Sequence, residues 1–188
     1  MKSITLNKIP EQEIFDLIDR LEVRGPRYTS YPTAPVWSGE FPVEPYIQSL
    51  TRIKKEQTPI ALYVHLPFCK KMCTFCGCNA YVSNNPEKFK QYADALKTEI
   101  TSISGFLGGN IKHSALHLGG GTPTQMPVEV LHDILEHLIS CIPGIEGAER
   151  SVEVDPRVTT DKHLQMMFDF GFRRISIGLQ DSEYKVQK

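Results

Sequence analysis

The sequence has almost no net charge, no long apolar run and no internal repeat, and each absence removes a class of function. Lysine plus arginine number 21 against 22 for aspartate plus glutamate, a formal net charge of -1, so nothing electrostatic argues for a nucleic-acid partner. The longest unbroken apolar stretch, Ile60 to Val64, falls far short of the ~20 residues a membrane span needs. The opening MKSITLNKIPEQEIF has no apolar core behind its first lysine, which argues against a secretory leader and for a cytoplasmic protein. Cysteine is scarce too, five in 188 residues. An odd count in a reducing compartment favours metal ligands or redox-active thiols over disulfides.

What cysteine there is, is concentrated. Cys69, Cys73, Cys76 and Cys78 all fall within HLPFCKKMCTFCGCNAY, His65 to Tyr81. Structural zinc sites usually combine two well-separated ligand pairs, whereas this is one compact run, which suits an iron–sulfur cluster better. If Cys69, Cys73 and Cys76 each bind one iron of a four-iron cluster, the remaining iron keeps an open position unless Cys78 closes it. Spacing makes Cys78 an awkward fourth ligand without forbidding it. Cys141 lies in the apolar stripe of an expected helix and reads as a core residue.

Periodicity supplies the frame around these thiols. Residues 1–58 are punctuated by proline, with helices expected at Glu11 to Leu21 and Pro45 to Lys55, and read as an irregular N-terminal arm. From Ile60 the pattern changes to IALYVHL, a continuous apolar run expected for a strand buried on both faces. Apolar residues at helical spacing then run from Phe89 to Ile103 and from Val130 to Ile142, and a third helix is expected from Asp161 to Phe170. Between them lie the short strands SALHL, SVEVD and RRISIGLQ. Three strand–helix units plus a strand predict an α/β fold with a parallel sheet over 59–188. In such folds ligands gather at the carboxyl ends of the strands. There the sequence places the cysteine loop, GGGTPT, Glu153 with Asp155, and Gln180 with Asp181.

At this point a resemblance becomes specific. CKKMCTFC is the C-x3-C-x2-C signature of the radical S-adenosylmethionine enzymes. Together with RGPRYTSYPTAP, GCN and GGGTPT it resembles the oxygen-independent coproporphyrinogen III oxidases, from about Arg24 to the end of the chain. The resemblance implies a partial (βα) radical-SAM barrel holding a [4Fe-4S] cluster on Cys69, Cys73 and Cys76, with S-adenosyl-L-methionine on the open iron. It implies a 5'-deoxyadenosyl radical that abstracts hydrogen from the propionates of coproporphyrinogen III, which become the vinyl groups of protoporphyrinogen IX. It also implies a reductant of unknown identity and a monomeric full-length protein.

Carried over by position, Tyr63 and Phe75 contact S-adenosylmethionine, Gly120, Gly121 and Thr122 meet its methionine part, and Glu153 and Gln180 hold its polar groups. Cys78 is the candidate catalytic thiol, near the site without being a cluster ligand. None of the six histidines is given a role. Arg27, Tyr28 and Tyr31 form either a proline-punctuated strap or a contact to substrate carboxylates. The wider superfamily often has Gly-Gly-Glu where this chain has Gly121 as third residue, and the glycine is usual in the coproporphyrinogen group. The chain stops at Lys188, before an arginine and an aspartate the family uses, before the remaining barrel strands and before a C-terminal domain. An N-terminal fragment, inactive in isolation, is therefore expected. The alternative is a non-catalytic haem-binding or haem-delivery relative on the same cluster-bearing scaffold, although those usually lack the arm.

Overall fold

The computed structural model describes residues 10–22, 36, 38–40, 42–74, 76–179 and 181–187. Phe75, Gln180 and the arm residues Arg27, Tyr28 and Tyr31 lie outside the described residues. Two compact units meet at Pro42 and Val43. The first contains helix α1 (Glu11–Leu21), on the span expected, with Phe15 and Ile18 exposed. The second opens with α2 (Val43–Glu56), so the helix anticipated over 45–55 belongs to the same unit as the sheet.

The apolar run forms β1 (Ile60–Leu66), followed by two short strands, β2 (Phe68–Cys69) and β3 (Tyr81–Val82), that the pattern did not foretell. Then come α3 (Pro86–Leu107), β4 (His113–Gly120), α4 (Val128–Cys141), β5 (Gly144–Val154), α5 (Asp161–Asp169), β6 (Arg174–Ile177) and a short α6 (Tyr184–Gln187). The main sheet runs β1-β4-β5-β6, every pair parallel. The alternation of strand and helix has the consequence expected of it, since parallel neighbours need a crossover and a helix supplies it. Local chemistry sets the ends. Asn85 accepts the Glu87 amide at 2.9 Å with Pro86 in the first turn of α3, and Gly108 closes that helix at φ 92°. Thr160 and His163 form a reciprocal cap at the start of α5.

One face of the sheet carries the core. Val64, Leu66, Leu116, Leu118 and Val152 pack under Phe89, Ala93 and Ile100 of α3, Leu131, Ile134, Leu135 and Leu138 of α4, and Met166 and Met167 of α5. A second cluster, Leu107, Ile111 and Ile142, takes Leu50 and Ile53 of α2 against Ile60 and Leu62. β1 is not buried on both faces as its composition predicts. Burial alternates along it, and Tyr63 on the other face is 58% exposed. Helices cover one side only among the described residues. On the edge strand β6, Ile175 and Ile177 are exposed although register puts them on the face of Val152 and Val154. His113 and His163 are buried with hydrogen-bond partners. No described helix is long and apolar enough to cross a membrane.

Candidate active site

The cysteine loop is bracketed where it leaves and rejoins the fold. Tyr81 donates its amide to the Pro67 carbonyl at 2.7 Å, and Ser83 to that of Cys69 at 3.1 Å, which pairs β2 with β3 in parallel. Phe68 then locks the bracket onto α3, its ring edge-on to Phe89 at 4.9 Å and to Tyr92 at 5.4 Å. The Tyr92 hydroxyl donates to the His65 carbonyl at 2.6 Å. Far from the loop, Cys141 packs on the hydrophobic clusters, consistent with its reading as a core residue.

Glycines 119–121 are required by what surrounds them. An ideal Cβ at Gly121 would fall 2.6 Å from the Pro67 carbonyl oxygen and 2.8 Å from Cys69 Sγ. Gly120 has φ +117°, and a Cβ there would meet the His65 ring at 2.9 Å. The run thus lets β4 close on β1 and the cysteine loop. Gly121 and Thr122 commit their amides to the carbonyls of Leu66 and Phe68 at 2.9 and 2.8 Å, so this turn has acceptors to offer a ligand in place of those donors.

The thiols form one electrostatic group. Burial pushes the Cys69 thiol up, opposed by the Thr122 hydroxyl 3.7 Å away and reinforced by Cys76, Cys73 and Asp155. Cys78 is also pushed up, first by burial, then by a hydrogen bond to Cys76 and the charges of Cys76, Glu153 and Cys69. All of the described cysteines are free. Asp155 is held below the usual carboxylate range chiefly by Arg157, which grips it at 2.8 and 3.0 Å and also senses the Cys73 thiol. Among the described residues no three His, Cys, Asp or Glu side chains converge on one metal-ion position. A four-iron cluster asks for something else, because each thiolate takes a different iron and the three stand apart. Three mutually sensed thiols in one loop, with Cys69 backed by the side-chain-free surface of Gly121, fit such a group.

On the open face of the sheet lie Tyr63 and Glu153. The His65 Nε2–H donates to the Asn79 carbonyl at 2.8 Å, which leaves Nδ1 to accept the Tyr63 hydroxyl at 3.0 Å. The loop is thereby tied at Asn79, just beyond Cys78. Burial, Glu153 and Cys78 together raise the Tyr63 phenol above its ordinary range. Strand register places Glu153 opposite Gly119, where a Cβ would come within 3.2 Å of its carboxylate. Of the residues expected at the site, the structure brings Cys69, Cys73, Cys76, Cys78, Tyr63, Gly120, Gly121, Thr122 and Glu153 to the carboxyl end of the strands or the loop above it. Sequence reasoning passed over His65, Gly119 and Arg157. Gly119 was visible in the GGG run and Arg157 in its place two residues after Asp155, whereas the approach of Arg157 to Cys73 exists only after folding.

Comparison with known proteins adds an independent finding. The family model described as the Radical SAM superfamily matches residues 63–188. Oxygen-independent coproporphyrinogen III oxidase of Escherichia coli is 40% identical over 173 residues, covering 92% of this chain and 37% of that protein. Its namesake from Paracoccus denitrificans is 35% identical over 178 residues, 95% of this chain and 39% of that protein. A solved structure described as coproporphyrinogen III oxidase from Escherichia coli, a radical SAM enzyme, superposes with a TM-score of 0.77 at 38% identity, covering 92% of this chain and 38% of that one. The chain spans under two fifths of the length of the relatives it matches, 37% and 39% for these two.

Proposed function

The chain belongs to the radical SAM superfamily, and from that premise we propose that it is the cluster-bearing part of an enzyme that oxidatively decarboxylates coproporphyrinogen III propionates to vinyl groups without oxygen. The observation that carries the reading is Cys69, Cys73 and Cys76 in one loop, bracketed by β2 and β3 and set against Gly121 at the carboxyl end of β1. The names of relatives at 35% and 40% identity favour this substrate over a haem-delivery role. Membership of the superfamily implies a [4Fe-4S] cluster and S-adenosylmethionine, which when bound supply one-electron chemistry at the sulfonium.

The chain's own residues then have distinct tasks. Cys69, Cys73 and Cys76 hold the cluster. Tyr63, Gly120, Gly121, Thr122 and Glu153 line the place of S-adenosylmethionine, with the Glu153 carboxylate and the acceptors of the glycine turn suited to its ammonium group. Cys78, its thiol pushed up first by burial and then by Cys76 and Glu153, is the thiol near the site that does not hold the cluster. Phe75 and Gln180 belong to the same proposal by position. Residues 1–58 are proposed as an arm and 59–188 as the first part of the barrel. A cytoplasmic, monomeric whole protein and an external reductant complete the reading.

Anaerobic reconstitution with iron and sulfide, followed by electron paramagnetic resonance with and without S-adenosylmethionine, tests it. A four-iron signal that changes on adding S-adenosylmethionine is expected. Cys73→Ala is expected to abolish cluster assembly, and retention of full iron content and cluster absorbance in that variant contradicts the assignment.

A further inference from the structure

Between Tyr63 and Ser151, in register on the central strand β4, stands an imidazole to which the proposed function gives no task. The His117 ring stacks on Tyr63 with centroids 5.9 Å apart and planes 22° from parallel. Its Nδ1 lies 2.7 Å from Ser151 Oγ and its Nε2 lies 3.4 Å from Glu153 Oε1. A carboxylate can only accept, so Nε2 carries the proton and Nδ1 accepts the Ser151 hydroxyl. Glu153 thereby fixes the tautomer, and the Ser151 hydroxyl takes the donor role toward Nδ1.

Gly119 completes the arrangement. An ideal Cβ there would be 3.0 Å from Tyr63 Cε2 and 3.2 Å from Glu153 Oε2, so the two side chains lean over the one position in the row that lacks a side chain. The Glu153 side chain is 46% exposed. A long carboxylate on an open strand face is otherwise free to rotate, and ordering it costs rotamer entropy. Among the described residues, His117 provides the hydrogen bond that restrains it.

We propose that His117 is a positioning residue for the S-adenosylmethionine site, aiming the Glu153 carboxylate through Nε2–H and backing the Tyr63 ring, so that both are in place before the ligand arrives. This rests on the assignment of Glu153 and Tyr63 to S-adenosylmethionine. The donor and the ring are separable by substitution. His117→Phe keeps the stack on Tyr63 and removes the donor, while His117→Gln gives up the ring and keeps an amide N–H on a side chain of similar reach.

The test is S-adenosylmethionine affinity by equilibrium dialysis on the reconstituted chain, with iron content measured in parallel. His117→Phe is expected to raise Kd about tenfold, in keeping with loss of a hydrogen bond to a charged group, with iron content unchanged. His117→Gln is expected to stay within about threefold of the parent. Glu153→Ala should weaken binding at least as much as His117→Phe, and the double variant no further than Glu153→Ala, since the His117 donor acts only through that carboxylate. A purely packing role for the imidazole predicts the reverse order, with Phe benign and Gln damaging, and that result overturns the proposal. Additive losses in the double variant overturn it as well. If Glu153→Ala binds normally, the site assignment itself falls and takes the proposal with it.

Discussion

An ideal Cβ at Gly121 would lie 2.6 Å from the Pro67 carbonyl oxygen and 2.8 Å from Cys69 Sγ, and the first of these is backbone that cannot swing aside. A methyl group there must push back the root of the cysteine loop, and forced overpacking of this kind costs about 1–3 kcal/mol. Gly121→Ala is therefore expected to lower the iron content of the reconstituted chain by about half or more. Gly105→Ala in α3 has nothing within 4 Å of its Cβ and should leave loading unchanged while stabilising the helix by up to ~1 kcal/mol. Iron content relative to protein measures both, and full loading of Gly121→Ala refutes the close approach. At this scale the sequence was partly legible. A glycine run signals close approach by something, and the structure shows that its own Pro67, Cys69 and His65 do the approaching.

The elements were the most readable level. IALYVHL announced β1 to the residue, and the spacing of Phe89, Ala93, Leu96 and Ile100 announced α3, because a helix that buries one stripe must repeat it. The cost of breaking such a stripe is large. Ile134 of α4 is fully buried between the sheet and α3, so Ile134→Ala is expected to destabilise the chain by about 2–5 kcal/mol, read from urea unfolding of the two proteins. A loss under about 1 kcal/mol would mean that α4 does not pack as described. What stayed hidden was short or relational. β2 and β3 are two residues each, too brief for any period. The one-sided burial of β1 depends on which face the helices choose, and its Val, Leu and Tyr residues do not encode that.

At the scale of the sheet, the candidate site lies at the carboxyl ends of the strands and a clamp at the other end. At the clamped end the His113 Nδ1–H donates to the Ile142 carbonyl at 2.7 Å, and its Nε2 accepts from Arg150 Nε–H at 3.3 Å. Arg150 reaches on to the Phe170 carbonyl after α5. Burial lowers the His113 pKa below its ordinary 6.5, with the Arg150 charge in the same direction and the Ile142 bond against it. The unfolded chain therefore takes up a proton that the folded chain resists. Stability from this residue is complete above pH 6.5 and is lost as pH falls from there through the lowered folded value. Thermal melts between about pH 5 and 7.5 should show the parent losing stability toward acid and His113→Gln, though less stable at neutral pH, losing less. Equal slopes would remove His113 from the acid response. Sequence could not show this clamp, because its parts are a strand residue, a second strand's arginine and two loop carbonyls that meet only through the topology.

The pairing of β2 with β3 joins the two ends of residues 70–80 before any ligand arrives. Bringing together the ends of a free segment of that length costs on the order of 2 kcal/mol from the length-dependent term alone. Here that entropy is already spent when the sheet folds, so on the proposed assignment of Cys69, Cys73 and Cys76 to the cluster the second and third thiols would meet iron at a raised effective concentration. On the proposed assignment, iron retention is expected to depend on the anchoring of Phe68 on α3, so a variant that loosens that bracket should lose iron to a chelator faster than the parent.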